Sequence, residues 1–559
     1  MKTDIEIAQE ATMRPIAEIA RDIGLTDDEI ELYGNYKCKV DLGVMERLMD
    51  KPEGKLVLVT AITPTPMGEG KTTVAVGLGQ AMYEMGYSII NTLREPSLGP
   101  VFGIKGGAAG GGYAQILPME DINLHFTGDI HAMTTANNLL SAMIDNHLHF
   151  GNKLNLNPKM ITWRRAMDMN DRGLRNVVVG LGRPLDGFVR ADQFLITVAS
   201  EIMAIMCLAT DVDDLKRRLG DIIIGYNYDK EPVRARELNA DGAMTVLLKD
   251  ALKPNLVQTL NNSPAFCHGG PFANIAHGTN TVVATRMALR LADYVLIEAG
   301  FGADLGAEKF LDIVSRLANY RPAAVVLVAT IRALKLHGGM KKKGALAGDP
   351  DPEAVRRGLP NLYTHIENLQ KYGVPVVVAI NEFVGKDTED ELKVVADAMA
   401  ERGVDYARCQ VVAHGAEGGK DLAKALVHCL ETKESNYAPI YPLDEPLTQK
   451  IETIAKEIYR ADGVVYTKEG KRDLKKLEKL GFGGLPVCMA KTQASITDNP
   501  SLVGVPEGWD LTVREAYISA GAGFVVVICG DMMLMPGLPR IPAAEHVNID
   551  ETGKTIGLF

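Results

Sequence analysis

Residues Val57 to Thr73 read V-L-V-T-A-I-T-P-T-P-M-G-E-G-K-T-T, and their order decides the fold. Leu56 to Ile62 is apolar and rich in β-branched residues. Such a run predicts a strand buried on both faces, as in parallel sheets. A turn with two prolines and two glycines follows, and Gly70-Lys71-Thr72-Thr73 opens a helical stretch from Val74 to Met85. Strand, Gly-rich loop and helix form a cradle for an anion. Backbone N–H groups and the helix N-terminus face the charge, a lysine adds to it, and a hydroxyl can bind Mg²⁺. The segment departs from G-x-x-x-x-G-K-[ST] because Thr65 stands where the first glycine belongs. In this context Thr65, Pro66, Met67, Gly68, Glu69, Gly70, Lys71, Thr72 and Thr73 are expected to bind a nucleotide. The alternative is an ordinary tight turn.

The chain has 559 residues, too many for one core, so more than one domain is expected. With 46% hydrophobic and 23% charged residues it has the composition of a globular protein. A net charge of −11 argues against a general nucleic-acid binder, so anionic ligands must meet local positive sites. No apolar run approaches the roughly 18 residues of a membrane span. The N-terminal M-K-T-D-I-E lacks the apolar core of a signal peptide. The seven cysteines show no C-x-x-C spacing and read as buried free thiols in a reducing cytoplasm.

Outward from the opening stretch, strand-like runs alternate with amphipathic helices. The runs are Ser88–Leu93, Val177–Leu181, Asp221–Tyr226, Tyr294–Ile297, Ala323–Ala329, Val374–Ile380, Gln410–Ala413 and Phe524–Ile528. Helices are expected at Thr134–Asn146, Ala191–Cys207, Ala354–Tyr372, Glu389–Arg402, Lys420–Glu431 and Leu447–Arg460. This alternation predicts an α/β protein with a mostly parallel sheet and helices on both faces, P-loop NTPase-like. Residues 1–112 and 291–364 would form the nucleotide-binding domain, 113–290 an inserted α/β domain, and 365–559 a C-terminal α/β domain. In such sheets ligands sit beyond the carboxyl ends of the strands. There the chain places Arg94-Glu95, then Glu298 with Phe301 and Asp304, then Thr330-Ile331-Arg332. One such charge is an ordinary solvated loop residue; three beside a phosphate loop point to a site.

Further segments carry chemistry. Gly103 to Tyr113, G-I-K-G-G-A-A-G-G-G-Y, has six glycines in eleven residues. Ordering glycine costs the most entropy, so such a loop implies close backbone approach to a ligand. Asp121 to His131 packs two His and two Asp into eleven residues and admits a His–Asp general base or, less readily, a metal. His268 and His277 flank a Gly-Pro loop in which core and active-site roles are equally open. Lys341-Lys342-Lys343 is a solvated face or a docking point for a polyanionic tail. Asn381-Glu382-Phe383 lacks the lysine of a guanine-specific loop, which favours ATP over GTP.

Together these residues resemble formate–tetrahydrofolate ligases. The resemblance rests on Gly103–Tyr113 and Val328–Gly339 (V-A-T-I-R-A-L-K-L-H-G-G), with Thr63–Thr73, Asn123–His131, His268–Asn280, Glu298–Phe310 and M-P-G-L-P at 535–539 in support. It departs at Val411-Val412-Ala413-His414, where members often carry a tryptophan of the pterin pocket. What it implies is ligation of formate to tetrahydrofolate with ATP, through formyl phosphate, to give 10-formyltetrahydrofolate, ADP and phosphate. Lys71 and Arg94 would then be catalytic, with Asp129 as proton acceptor and His131 or His268 as alternatives. Thr72, Glu95 and Glu298 would hold Mg²⁺. Glu95, Lys105, Gly106, Gly107, His268, Phe301 and Arg332 would surround formyl phosphate, and Phe383 would stack on the folate. The family also implies a cytoplasmic homotetramer activated by K⁺ or NH₄⁺, folate substrates that can be polyglutamylated, and no nucleic acid or membrane partner. The competing readings are a nucleotide-dependent switch protein, another acid-activating ligase and an oligomeric scaffold.

Overall fold

The opening run forms the strand Lys55–Ala61, and its alternation has two destinations. Val57, Val59 and Ala61 enter one hydrophobic core, while Leu56 and Leu58, with Ile62 just beyond, enter another. A strand with apolar partners on both faces is at home inside a parallel sheet. The computed structural model describes residues 2–104 and 109–558. Among them is a 12-stranded sheet in which Pro264–Cys267, Ile89–Leu93, Tyr294–Glu298, Lys55–Ala61, Pro322–Ala329, Val376–Asn381 and Asp405–Cys409 follow one another. All these neighbours pair in parallel. Antiparallel strands, Asn255–Thr259, Cys38–Val40 and Ile30–Leu32, extend the other edge.

Helices Lys71–Glu84 and Lys420–Thr432 bury their apolar residues in the core that takes Val57 and Val59. Helices Val282–Leu291 and Pro352–Lys371 fill the opposite core. The protein is therefore mixed α/β, with a large, mostly parallel sheet covered on both sides. The sheet draws on all three segments distinguished in the sequence: Asn255–Cys267 comes from 113–290, and Val376–Cys409 from 365–559. Two smaller assemblies flank it. One carries helices Asp129–His149, Glu201–Leu208 and Val212–Asp221 with the sheet of Leu156–Ile161, Ile223–Asn227 and Pro232–Arg234. The other carries helices Leu447–Glu457 and Lys468–Lys479 with short strands between Gly463 and Ile528. All seven cysteines are buried and unbridged. No helix among the described residues is long and apolar enough to cross a membrane.

Two expected elements differ. Gln410–Ala413 is not a strand: the strand is Asp405–Cys409, and Val411–His414 is a helical turn. Gln410 donates its N–H to Gly418 O at 3.0 Å, which folds the chain back. Val411 is then pressed onto helix Lys71–Glu84, where a Cβ on Gly77 would lie 2.4 Å from Val411 Cβ. Ala191–Cys207 is not one helix either. Arg190–Asp192 pairs with Val177–Val179 in a hairpin, and the helix starts only at Glu201, where the Ser200 hydroxyl caps Met203 N–H.

The Gly77–Val411 contact yields a test. Gly77→Ala should lower stability by about 1–3 kcal/mol, because β-branched Val411 cannot swing aside. Gly242→Ala, in a helix where an added Cβ meets nothing within 4 Å, should leave it unchanged or slightly raised. Paired thermal melts decide, and equal melting temperatures would refute tight packing at Gly77.

Candidate active site

The loop after Lys55–Ala61 is held from three sides. Gly68 and Gly70 have φ of 74° and 73°, which side-chain-bearing residues rarely adopt. Gly70 caps helix Lys71–Glu84, and a Cβ there would lie 2.7 Å from Asn381 Nδ2. That amide donates to Glu69 O at 3.0 Å, tying the loop to the end of strand Val376–Asn381. The Glu69 carboxylate points inward, 1% exposed, and accepts from Thr65 N–H at 2.5 Å and from the Thr330 hydroxyl. Arg332 donates to Gly68 O, and its Nε lies 3.7 Å from Glu69. The residue at 65 therefore needs no positive φ: its N–H serves Glu69, and its carbonyl accepts from Gly68 N–H at 3.0 Å. Pro66 and Met67 are exposed at the tip, while Lys71, Thr72 and Thr73 are partly exposed at the helix start.

Next to this loop the ends of three parallel strands converge. Glu298, 1% exposed, accepts from the Thr72 hydroxyl at 2.5 Å and from Arg94 Nε at 3.2 Å. Burial pushes the Lys71 amine down to about 8, with Glu298 opposing and Arg94 assisting. The Arg94 guanidinium lies against Gly300, where a Cβ would come within 2.8 Å of Nη1. Phe301 follows with φ 57°, a strained conformation for an aromatic residue. Beyond it Ala303–Ala307 and Phe310–Val314 are wound as π-helix, a rare geometry that concentrates at functional sites. Glu95 is buried with Oε2 unpartnered, and its carboxyl is pushed well up, first by burial and then by Asp129.

The other expected residues are placed as follows. Asp129 opens helix Asp129–His149 and pairs with buried Lys39 at 2.8 Å; Asn255 Nδ2 donates to it at 2.7 Å. His268 lies 3.9 Å from it, donates Nε2–H to Ala251 O at 2.7 Å and accepts the Thr281 hydroxyl at Nδ1. Burial pushes this imidazole down to about 4, so it is neutral. Both side chains are thus spent on internal contacts, and His131 is exposed along the helix. Arg332 stacks on Phe383, its guanidinium carbon 4.1 Å from the ring centroid, so one ring face is already taken. Lys105, Gly106 and Gly107 lie outside the described residues. The end of their loop is described: Gly112 N–H donates to Asp4 at 2.8 Å, and Tyr113 N–H to Val412 O at 3.0 Å. Gly111 comes close to Thr73: a Cβ added at Gly111 would lie 3.7 Å from the Thr73 hydroxyl oxygen. Asn381 and Thr330, which the sequence placed in a nucleotide-specificity loop and at a strand end, turn out to brace Glu69. Both are polar residues at strand ends beside the loop, and that position was their only signal.

The fold is that of an α/β protein whose Lys, Arg and Glu side chains gather beyond the carboxyl ends of parallel strands, where such sheets bind their ligands. The family model described as formate–tetrahydrofolate ligase matches residues 2–559, and the chain belongs to that family. It is therefore a ligase of one-carbon metabolism, joining formate to tetrahydrofolate with ATP.

Glu298 ties the loop to Arg94, so its removal should be costly. Glu298→Ala should destabilise the protein by about 3 kcal/mol, the lower end for breaking a buried pair, because Arg94 keeps some solvent contact. Glu298→Gln retains an acceptor and should lose less. Thermal melts at one pH measure both, and an unshifted Glu298→Ala melt would deny the tie.

Proposed function

We propose that the ligation proceeds through formyl phosphate on the residues around Glu298. A formate oxygen attacks the γ-phosphorus of ATP and ADP leaves. The aryl amine nitrogen of tetrahydrofolate then attacks the formyl carbon, the C–O bond to phosphorus breaks, and 10-formyltetrahydrofolate and phosphate result. The amine sheds one proton and the departing phosphate takes one up, so the balance closes with no separate base. Asp129, His131 and His268 then have no obligatory acceptor role, in keeping with the internal contacts of Asp129 and His268.

The observation that carries this reading is Arg94 and Thr72 meeting on one buried carboxylate beside Lys71. Formate and the γ-phosphate are both anions, and their approach requires neutralised charge and fixed geometry. Thr65 to Thr73 form a P-loop NTPase-like cradle, and Lys71 holds the β- and γ-phosphates. Arg94, with its planar fork, grips the carboxylate and the transferred group together. Thr72, Glu95 and Glu298 would hold Mg²⁺, which when bound neutralises charge on the phosphates. The donors are hard oxygens of the kind Mg²⁺ takes, and Glu95 Oε2 has no protein partner; burial favours its neutral form, so a bound ion would have to draw off its proton. Among the described residues no group of three or more His, Cys, Asp or Glu gathers as metal ligands. Water and phosphate oxygens would complete the shell, as is usual for Mg²⁺. The loop around Lys105, Gly106 and Gly107, with Phe301, excludes water from an intermediate that hydrolyses readily. Arg332 positions the cradle, and the free face of Phe383 receives the folate ring. Exposed Lys341, Lys342 and Lys343 start a helix one turn beyond Arg332's own and suit a polyglutamate tail. A cytoplasmic homotetramer and activation by K⁺ or NH₄⁺ are carried over from the family.

The decisive variant is Arg94→Ser. Formate-dependent ADP formation should fall about 10²- to 10³-fold, the loss typical when one preorganised charge partner is removed. ATP affinity, read by calorimetry, should change far less, and equal losses in both would sink the bridging role. A second test uses Lys71. Phosphate prefers the charged amine, whose ordinary value is displaced to about 8. Below that pH the amine is already protonated; above it binding must recruit a proton. ATP affinity should therefore weaken as pH rises through about 8, approaching tenfold per unit, and Lys71→Ala should lose that slope. A flat profile in the parent protein would contradict the contact.

A further inference from the structure

A cavity of about 1340 Å³ includes none of Lys71, Arg94, Glu298 or Arg332 in its lining. One wall is the strand Leu156–Ile161 and the hairpin that pairs Val177–Val179 with Arg190–Asp192. The facing wall is helix Lys468–Lys479 and strand Glu515–Ser519. Space of this size exceeds what tight packing between two layers leaves behind. It reaches the scale of small-molecule sites.

The lining is chemically selective. Trp163, Phe188, Tyr226 and Tyr517 supply ring surface. The Lys476 ammonium sits 3.3 Å from the centre of the Tyr226 ring, and burial pushes its amine below the ordinary value. Among the described residues neither the Lys476 ammonium nor the Arg164 guanidinium has a carboxylate within ion-pairing distance, and Arg164 acts electrostatically on Tyr517. The acids along the same walls are mostly committed. Asp192 is held by Arg165 and Arg190, Asp473 pairs with Arg472, and Glu201 accepts from Gly521 N–H at 2.7 Å. Glu515 is exposed. Lys476 and Arg164 are thus cations beside the rings without an ion-pair partner, while Asp473 acts on Lys476 and Tyr226, and exposed Glu515 pairs with no cation among the described residues. Rings flanked by partly dehydrated cations complement a planar aromatic group that carries an anion.

We propose that this cavity binds a planar aromatic anion, with Tyr226 and Tyr517 against the ring and Arg164 and Lys476 on the carboxylate or phosphate. A purine nucleotide and an aryl-glutamate share that chemistry. The test titrates the full chain with 8-anilinonaphthalene-1-sulfonate, an aromatic sulfonate, and follows its fluorescence. Saturable binding is expected, with the dissociation constant raised about tenfold by Arg164→Gln or Lys476→Gln, as one charge-assisted contact is lost. Arg164→Lys, which keeps the charge, should retain most of the binding. Lys71→Ala, which alters only the phosphate loop, should leave it intact. Retained ligase turnover in the Arg164 and Lys476 variants would show that the fold persists. Displacement by AMP assigns the cavity to a purine phosphate, and displacement by p-aminobenzoylglutamate to an aryl carboxylate. Equal dye affinity in parent and Gln variants, loss of binding in Lys71→Ala, or displacement by neither compound would overturn the assignment.

Discussion

The geometry beyond the strand ends depends on one buried carboxylate. Glu298 ends the strand Tyr294–Glu298, between Ile89–Leu93 on one side and Lys55–Ala61 on the other. Its two oxygens take a hydroxyl from the first turn of the helix that follows the Gly-rich loop and a guanidinium from the next strand. Parallel pairing brings these groups together, because each strand carries its polar residue just past its last apolar one. A carboxylate this deep is tolerated only when charged and hydrogen-bonding partners surround it. The same requirement fixes Thr72 and Arg94 relative to each other through Glu298.

A second carboxylate does the same work from the other side. Glu69 lies under its own loop and gathers Thr65 N–H, the Thr330 hydroxyl and Arg332. Arg332 in turn lies on Phe383 and donates to Gly68 O. The phosphate loop and the aromatic ring proposed for the folate thus share one side chain. A shift of the loop would be felt at Phe383 through packing and hydrogen bonds, with no long pathway.

Much of this was legible in the sequence. The run Leu56–Ile62, the Gly-Lys-Thr-Thr turn and charges after three later strands were enough to predict a parallel sheet with a site at its edge. These features are local, so period and turn chemistry report them. What stayed hidden depends on contacts distant in the chain. Val411-Val412 reads as a strand by composition, yet Gly77, more than 300 residues earlier, offers the groove that receives it as a turn. Asp129 and His268, expected from sequence as proton acceptors, also bond to Lys39, Asn255 and Thr281, contacts that no local pattern announces. Asn381 looked like a fragment of a nucleotide-specificity loop, and it braces Glu69. Sequence spacing shows which groups reach an edge of the sheet; it does not show which of them are already satisfied there.

The acidic balance of the chain bears on how anions are received. With a net charge of −11, the chain as a whole repels anions, so the positive groups that would receive ATP and formate must act locally. Arg94 and Arg332 already face Glu298 and Glu69. These internal carboxylates resemble the substrates' own oxygens in charge, and each holds its arginine through a single Nε approach, 3.2 Å for Arg94 and 3.7 Å for Arg332. An arriving anion would therefore meet groups already desolvated and oriented, and would share or replace an existing partner instead of ordering a loose side chain. Preorganisation of this kind lowers the reorganisation needed at the moment of reaction. It also explains why the cradle tolerates threonine at 65. Its shape is set from beneath by Glu69, so a first glycine is not required to make the turn.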